Sequence, residues 1–543
     1  MISRHSRHLR LIFSLAVLLL SNSITYGQKG LDQTINDAFM PIAQWWESFV
    51  FTQISIGQVG IPIVLILLLG GAAFFTVYFR FVNVLQFPLA INVVRGGFDD
   101  LEAPRSQDEL GEDIKGTIKD ESHYGEVNHF QALATAVSGT VGLGNIAMVA
   151  VAISIGGPGA TFWMIIAGIL GMSTKFVECT LGVKYREIDK EGRVYGGPMY
   201  YLSKGLGERG YKRLGRLLAG IFATLCVGAS FGGGNAFQSN QAAAQIIDKF
   251  NLTGSASGTI IGVTLAMMVA IVIIGGIKRI AKVTEKIVPL MTLVYILAAL
   301  FILISHIDYI DEAFGLILKE AFSPRAGITG GIIGVMIQGF RRAAFSNEAG
   351  AGSAAIAHSA VQTKYPASEG LVGLLEPFID TVMICTMTAL VIIIFNINGV
   401  FIYGDVTQNQ VLLTSTSERI GGVNLTSMAF ESVIPGFSYV LLVAVALFAF
   451  STMISWSYYG LQSWSYLFGR GKNTELIYKV LFLVFTILGA AVTLDAVIKF
   501  SDAMILAMVF PNMIGLLMLF PVVKKELIKY LKVLTKEIYS KGV

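Results

Sequence analysis

The residues best suited to bind a small ligand form one run of eight, Ser138–Asn145, which contains three glycines and two hydroxyl residues. The run lies inside an apolar segment, roughly Phe130 to Ile155, that is long enough to cross a bilayer. Glycines and hydroxyl side chains at this density favour an interruption over a continuous helix. Lipid cannot satisfy the free N–H and C=O groups of an interruption, so the break must face protein, water or a ligand. A broken membrane helix presents half-helix ends and bare carbonyls, which can hold an ion and a zwitterion.

Further polar side chains in predicted spans are able to complete such a site. The amide of Asn145 can reach both ends of an amino acid, and its oxygen can bind a cation; the alternative is a hydrogen bond between helices. Ser451 and Thr452 are adjacent hydroxyl residues in the middle of a span and offer hard oxygen ligands suited to Na⁺. Their alternative is that each hydroxyl bonds back to its own helix. Trp456 lies one turn after Thr452 on the same helix face, where it could wall a small pocket.

Two further groups of side chains have both a structural and a functional interpretation. Asn235, Gln238 and Gln241 follow three glycines at a spacing of three, so they share a helix face that either packs on a neighbour or lines a substrate path. Five charged residues lie within predicted crossings, where an ionisable side chain is costly and needs a partner or a water-filled path. They form either internal salt bridges or a gate, and they are Arg341, Arg342, Glu348, Glu178 and Asp380.

Several other chemistries are disfavoured by the sequence. Gly142-x-Gly144-x-x-Ala147 has the form of a dinucleotide fingerprint, but it lacks the strand and the acidic residue that this motif requires. Packing by small residues remains the alternative to a ligand-binding break. The three cysteines show no CxxC pairing and the histidines form no HxxxH motif, which argues against zinc and disulfides. No nucleophile–base motif indicates an enzyme, no cofactor is indicated, and a net charge of +4 gives no reason to expect nucleic acid.

Composition places the chain among polytopic membrane proteins, since 54% of its residues are hydrophobic and only 14% are charged. The loops at 184–216 and 278–286 and the C-terminal tail are rich in lysine and arginine, and all three fall on one side if the mature N-terminus is outside. The sequence therefore predicts a multi-pass protein of the cell (inner) membrane with a cytoplasmic C-terminus. The apolar segments long enough to cross lie at about 58–80, 130–153, 160–183, 215–247, 258–277, 286–305, 328–357, 370–397, 437–467, 476–494 and 501–523.

The same pattern divides the chain into seven parts. The first is a secretory signal or, alternatively, an uncleaved anchor. The polar linker before the first repeat is either simply solvated or regulatory. In order, the parts are the signal 1–27, an extracytoplasmic interfacial segment 28–57, an extra transmembrane helix 58–82, a cytoplasmic linker 83–127, a first repeat 128–305, a second repeat 326–523 and a cytoplasmic tail 524–543.

Each repeat contains five spans, and an odd number of crossings forces the two repeats into opposite orientations. The first span of the second repeat is interrupted by small and polar residues between Gly339 and Ser353, as the first span of the first repeat is at Ser138–Asn145. Paired interrupted helices in inverted repeats point to the midplane site of a secondary transporter. The predicted fold is an all-α polytopic membrane protein of about 11 transmembrane helices, with two inverted five-helix repeats, broken first helices and one extra N-terminal helix.

At these residues the sequence resembles the alanine or glycine:cation symporter family of the amino acid–polyamine–organocation superfamily. The resemblance implies the inverted-repeat fold and sodium-coupled uptake of small neutral amino acids (alanine, with glycine or serine as further substrates). The competing interpretation is a cation or small-solute channel, which needs a continuous pore and no coupling. The similarity spans most of residues 58–523 and is carried by Ser138–Ala147, Gly156-Gly157-Pro158-Gly159, Gly196-Gly197-Pro198-Met199-Tyr200-Tyr201, Phe345–Ser353 and Ser455-Trp456-Ser457-Tyr458-Tyr459-Gly460.

The resemblance also implies which residues bind the ligands. The coupling sodium ion is expected to contact the carbonyls of Ser138 and Val141 and the hydroxyls of Ser451 and Thr452. The expected partners of the protein are thus a small neutral amino acid, sodium and the lipid bilayer. The residues expected to hold the amino acid come from both broken helices and the facing wall, and they are Thr140, Gly144, Asn145, Gln238, Phe345, Thr452 and Trp456.

Overall fold

The computed structural model describes residues 30–56, 59–102, 125–189, 191–274, 276–325, 328 and 330–540. The expected signal at 1–27 and the part of the linker at 103–124 lie outside these residues. Helices make up most of the described chain, and its strands are short antiparallel pairings in loops. The all-α membrane architecture is therefore confirmed. The strands are β1 Gln53–Ile56 with β2 Val59–Pro62, β3 Glu187–Ile188 with β4 Val194–Tyr195, and the sheet β5 Phe401–Thr407, β6 Gln410–Leu413 and β7 Arg419–Ile420.

The helices of the described residues fall into three groups along the chain. The N-terminal group, α1 to α5, comprises Leu31–Val50, Ile63–Tyr78, Val82–Leu85, Phe87–Val94 and Asp99–Glu102. The middle group, α6 to α13, comprises His129–Thr140, Gly144–Gly156, Gly159–Lys184, 198–208, Lys212–Lys249, Ser257–Ile273, Gly276–Ser305 and Ile310–Phe322. The last group, α14 to α21, comprises Gly331–Asn347, Ala354–His358, Pro366–Phe395, Val423–Glu431, Phe437–Phe468, Lys472–Ala491, Leu494–Ala507 and Val509–Ser540.

Fewer helices are long and apolar enough to cross a membrane than the eleven that the sequence predicted. In the described part of the chain, seven helices are long and apolar enough to cross, or eight if the bent pair α6–α7 is one span. Helices α2 and α11 are apolar but shorter. The span predicted at 328–357 is divided into α14 and the five-residue α15, and α14 carries two arginines. The exact count of eleven is not confirmed.

Both predicted interruptions are present. Helix α6 begins with a reciprocal cap between Asn128 and Gln131 and ends at Thr140, and α7 continues at an angle of 48° after three non-helical residues. Helix α14 ends at Asn347, where Glu348 adopts a left-handed conformation with φ of 56°. Gly350 and Gly352 follow with φ of 94° and 87°, which glycine adopts without a steric penalty. The small residues of both runs therefore allow the backbone to depart from helical geometry at each break.

The predicted interfacial segment is largely the helix α1, which packs on α20 and on the start of α11. The Phe39 ring meets Phe500 of α20 with a centroid distance of 5.1 Å. Asp32 accepts hydrogen bonds from the backbone of Gly258 (3.0 Å) and from the hydroxyl of Thr259 (2.6 Å), which caps α11. The opposite face of α1 exposes apolar side chains, including Trp45 at 67% exposure, as an amphipathic helix does.

Candidate functional site

The first break is closed by the side chain of Asn145 at the start of α7. Its Oδ1 accepts a hydrogen bond from the backbone N–H of Gly142 (2.9 Å). Its Nδ2 donates to the Oδ1 of Asp380 on α16 (2.6 Å) and lies 3.1 Å from the Asp380 carbonyl. Asn145 is fully buried. The amide therefore fixes the shape of the break and ties it to α16, the interhelical alternative that the sequence left open.

The hydroxyl residues of α18 meet the last turn of α6. Thr452 Oγ1 donates to the carbonyl oxygen of Ser138 at 2.9 Å. Ser138 Oγ donates to the carbonyl of Ser451 at 2.9 Å and accepts from Ser455 Oγ at 3.0 Å. Ser138 and Thr452, predicted as sodium ligands, are thus in direct contact. Val141 ends α6 with ψ of 90°, outside the helical region.

Ser451 presents its backbone to the break, and its hydroxyl turns elsewhere. Ser451 Oγ donates to the carbonyl of Phe448 in the preceding turn (3.0 Å) and lies 3.7 Å from the sulfur of Met291. Thr140 similarly directs its hydroxyl to its own helix, 3.3 Å from the carbonyl of Ala136. These two hydroxyls therefore make the back-bonding contacts that are common for such residues within helices.

Trp456 joins the two broken helices. Its indole Nε1 lies 3.2 Å from the carbonyl of Gly139 in α6 and 3.1 Å from Oε1 of Glu348 at the second break. A Cβ built on Gly234 of α10 would lie 2.1 Å from the Trp456 ring. A glycine is therefore required where α10 passes this ring, and the indole has little freedom to move.

Phe345 and Gln238 complete the contacts around the first break. A Cβ at Gly144 would lie 3.7 Å from Phe345, whose ring packs edge-on against Phe237 at 5.2 Å. Gln238 Oε1 accepts from the backbone N–H of Leu143 at 3.2 Å, within the break. The structure thus brings Gly144, Asn145, Gln238, Phe345, Thr452 and Trp456 to one buried region.

The polar stripe on α10 has three different environments. Asn235 is a packing residue, since its Nδ2 donates to the carbonyl of Phe482 (2.6 Å) and its Oδ1 accepts from Thr486 (2.8 Å) on α19. Gln238 contacts the break. Gln241 accepts from the backbone of Val423 at 2.9 Å and borders a cavity of about 760 Å³. The packing interpretation therefore holds for Asn235, while Gln238 faces the break and Gln241 faces the cavity.

The rim of that cavity carries charge near the connection between α17 and α18. Glu431, at the end of α17, accepts hydrogen bonds from the backbone N–H groups of Ser438 (2.7 Å) and Gly436 (2.8 Å). The bond from Ser438 is the main reason why the pKa of Glu431 is lowered from its ordinary value. Lys249 lies 3.7 Å from the centre of the Tyr439 ring. Charges of both signs therefore surround the cavity one helical turn from Gln238.

The intramembrane charges form internal pairs. Arg341 contacts Asp502 of α20 and Glu47 of α1, each at 2.7 Å, and Arg342 contacts Asp502 at 2.6 Å. Glu348 pairs with Trp456 and Ser353. Sequence reasoning missed Asp502 and Glu47 as partners. An acidic residue inside the apolar span 501–523 is the signal that could have identified Asp502.

Glu178 supports the second break from α8. Its Oε1 accepts from Nδ2 of Asn512 at 2.7 Å, and the same Nδ2 lies 2.8 Å from the carbonyl of Gly350. Tyr201 also bonds to Asn512. Asn512 of α21 therefore holds the Gly350 carbonyl at the second break, and Glu178 and Tyr201 position Asn512.

Comparison with known proteins finds relatives that are named as sodium-coupled symporters. The profile of the sodium:alanine symporter family matches residues 46–541. The chain is 39% identical over 466 residues to the sodium/alanine symporter AgcS of Methanococcus maripaludis, covering 86% of this chain and 93% of that protein. It is 31% identical over 469 residues to the probable sodium/glutamine symporter GlnT of Bacillus subtilis, covering 86% and 87%. Among solved structures, the crystal structure of MhsT in complex with L-phenylalanine is similar with a TM-score of 0.49 and 14% identity, covering 74% of this chain and 99% of that one.

Proposed function

Since the chain belongs to the sodium:alanine symporter family, we propose that it carries small neutral amino acids, alanine first, into the cell together with sodium. Glycine and serine are the further substrates of the proposal. The observation that supports it best is the meeting of the two broken helices at Trp456, whose indole contacts Gly139 and Glu348. A ligand held there would contact both halves of the chain, as alternating access requires.

The amino acid is proposed to bind between the first break and the wall formed by α10, α14 and α18. Half-helix ends and unpaired backbone groups suit the charged ends of a zwitterion. Trp456 and Phe345 restrict the volume left for a side chain, which favours a small substrate. The contacting residues of the proposal are Thr140, Gly144, Asn145, Gln238, Phe345, Thr452 and Trp456, and the first of these acts only if its hydroxyl leaves the Ala136 carbonyl.

Sodium is proposed to bind where α18 meets the end of α6. The carbonyls of Ser138 and Val141 and the hydroxyl of Thr452 are hard, neutral oxygens, and the Ser138–Thr452 contact of 2.9 Å places two of them together. The hydroxyl of Ser451 is the fourth ligand of the proposal and has to rotate away from Phe448 to act. Such a neutral cage needs no carboxylate from the protein, because the bound amino acid brings its own carboxylate.

A symporter fits these contacts better than a channel. The residues that line the proposed site are buried in this structure, including Ser138, Asn145 and Trp456 at 0–1% exposure. A channel needs a continuous path through them, whereas a symporter closes the site on both sides in turn. The relatives of the chain are transporters as well.

The membrane orientation of the proposal follows from charge. The chain is a multi-pass membrane protein. The basic segments 184–216 and 278–286 lie on the same side as the C-terminal end of α21 if each predicted span crosses once; the second, predicted as a loop, forms the start of α12. We place this side in the cytoplasm of a cell with an inner membrane, and α1 and the sheet β5–β7 outside. Alanine and sodium then enter from the side of α1.

Uptake of labelled alanine by the purified protein in liposomes tests the proposal. An inward sodium gradient should drive alanine above its equilibrium level, and replacing sodium by choline should remove this accumulation. Glycine, serine and glutamine as competitors separate a small pocket from one with the glutamine specificity that GlnT's name indicates. Alanine flux that only follows its own gradient, with or without sodium, would contradict symport and favour a channel.

A further inference from the structure

A buried carboxylate of the linker meets four other elements of the chain. Glu102, at the end of α5, is 3% exposed. It accepts hydrogen bonds from Nε2 of His129, the hydroxyl of Ser368 and the hydroxyl of Tyr530, each at 2.9 Å, and from the hydroxyl of Thr363. The sequence predicted either a solvated or a regulatory linker. At Glu102 the linker packs into the helix bundle.

Glu102 is the first of six buried titratable side chains that contact one another in series. His129 Nδ1 meets Glu369, and the other oxygen of Glu369 meets Nδ1 of His358. His358 Nε2 lies 3.7 Å from Glu376, whose other oxygen accepts from Nζ of Lys175 at 3.1 Å. We call these six residues the inner latch: Glu102, His129, Glu369, His358, Glu376 and Lys175.

The latch is balanced in charge. A carboxylate can only accept hydrogen bonds when ionised, and His129 contacts a carboxylate with each ring nitrogen, so it donates from both as an imidazolium. With His358 and Lys175 also charged, three cations face three carboxylates. Buried charges are stable only when they are paired. Removing one charge of the latch therefore leaves its partner unpaired in the apolar interior.

The latch holds the inner half of each broken helix. His129 is the first residue of α6, and His358 is the last residue of α15. Backbone pairing adds to this contact, since Val127 forms a parallel bridge with Val361 and Gln362 donates to the Val127 carbonyl at 2.7 Å. The two inner half-helices and α16 are thus joined below the proposed site.

We infer that Glu102 is a positioning residue of transport: it holds α6 against α16 and α21, and it must release His129 before the site opens to the cytoplasm. This inference rests on the proposed function and orientation. Helix α6 carries the effect, because Ser138 lies nine residues, about 14 Å, after His129 on the same helix. Within the described residues, the hydrogen-bond partners of Glu102 are His129, Thr363, Ser368 and Tyr530, which lie apart from the proposed ligand-binding residues. Glu102 therefore acts on the inner opening through His129 and α6.

The test is Glu102→Gln in the full chain, which keeps the shape of the side chain and removes its charge against His129. We expect amide hydrogen exchange in α6 and α15 to become about tenfold faster, because a hydrogen bond to a charged group is among the strongest single contacts. Exchange in α10 and α18 should stay at wild-type rates. Half-saturating external alanine should rise, because fewer molecules face outward, while the maximal uptake rate is retained or raised.

Glu187→Gln is the matched control. Glu187 is a carboxylate on the same side that pairs with Arg470 (2.6 Å) and Lys204 (3.1 Å) but lies outside the latch. It should leave both the exchange of α6 and the half-saturating alanine concentration unchanged. If Glu102→Gln fails to fold, Tyr530→Phe removes one of the four donors without touching the charge and should give the same changes at smaller size.

Three outcomes overturn the inference. The first is wild-type exchange in α6 for a folded Glu102→Gln protein. The second is faster exchange across the whole chain, which indicates a purely structural role. The third is an equal effect of Glu187→Gln. Failure of the proposed function is separate, since it appears as absent sodium-driven uptake in the wild-type protein, while the exchange measurement needs no substrate.

Discussion

Replacing Thr452 by valine tests the ion site most directly. Thr452 Oγ1 donates to the Ser138 carbonyl at 2.9 Å, and both residues are almost completely buried. Valine has the same shape without the hydroxyl, so the substitution leaves no cavity and removes one oxygen. Losing a buried hydrogen-bonding partner costs about 1–3 kcal/mol. If that oxygen also contacts sodium, the sodium affinity falls by a similar free energy, or about 5- to 150-fold.

The assay is alanine binding by the purified variant over a range of sodium concentrations. We expect the sodium concentration for half-maximal alanine binding to rise at least about fivefold, and high sodium to restore most of the binding. Linkage requires that alanine also raise the sodium affinity by the same factor by which sodium raises the alanine affinity. A folded Thr452→Val protein with the sodium dependence of the wild type would refute the proposed ion site.

Ser451→Ala tests the fourth proposed sodium ligand separately from Thr452. The Ser451 hydroxyl bonds to Phe448 in its own helix, whereas its carbonyl, which alanine retains, accepts from Ser138. Because the proposal has this hydroxyl rotate to the ion, the sodium concentration for half-maximal alanine binding should rise in this variant as well. An unaltered sodium dependence would remove the Ser451 hydroxyl from the proposed ion site.

Three further substitutions address the pocket and its support. Asn145→Ala removes the amide that joins the first break to Asp380, and alanine binding should weaken at least about tenfold; a titration within about twofold of wild type would make Asn145 a packing residue. Trp456→Leu should admit larger amino acids at some cost for alanine, and an unchanged competition series would remove Trp456 from the pocket wall. Asp502→Asn leaves the buried Arg342 without its carboxylate, so the free energy of unfolding should fall by about 3–5 kcal/mol; an unaltered thermal midpoint would contradict this.

Helix periodicity and composition were sufficient to predict the local features. Glycines and hydroxyl residues in Ser138–Asn145 predicted the first break, and the structure bends there by 48°. Thr452 and Trp456, four residues apart, were predicted to share a face, and they contact the successive carbonyls of Ser138 and Gly139. Such features are predictable because they depend on neighbours within one or two helical turns.

Contacts between distant parts of the chain were decided only by the tertiary structure. Ser138 and Thr452 are 314 positions apart, and their pairing came from a family resemblance, not from spacing. The sequence left open whether the Ser451 hydroxyl would bind an ion or turn to its own helix, and it gave no sign that Arg341 and Arg342 would share Asp502. Hydrogen-bond partners and rotamers depend on how the helices pack, and one sequence pattern allows several packings.

Glu102 marks the limit of the sequence most clearly. It belongs to an acidic stretch whose composition is typical of a solvated linker, and composition averages over neighbours that do not share its environment. The tertiary structure buries this one carboxylate because His129, Thr363, Ser368 and Tyr530 supply four donors from distant elements. Apolar periodicity determined which segments enter the membrane. Which charged side chains could be buried with these segments was decided by the hydrogen-bonding groups that packing brings next to them. A buried charge is stable only where other groups satisfy it.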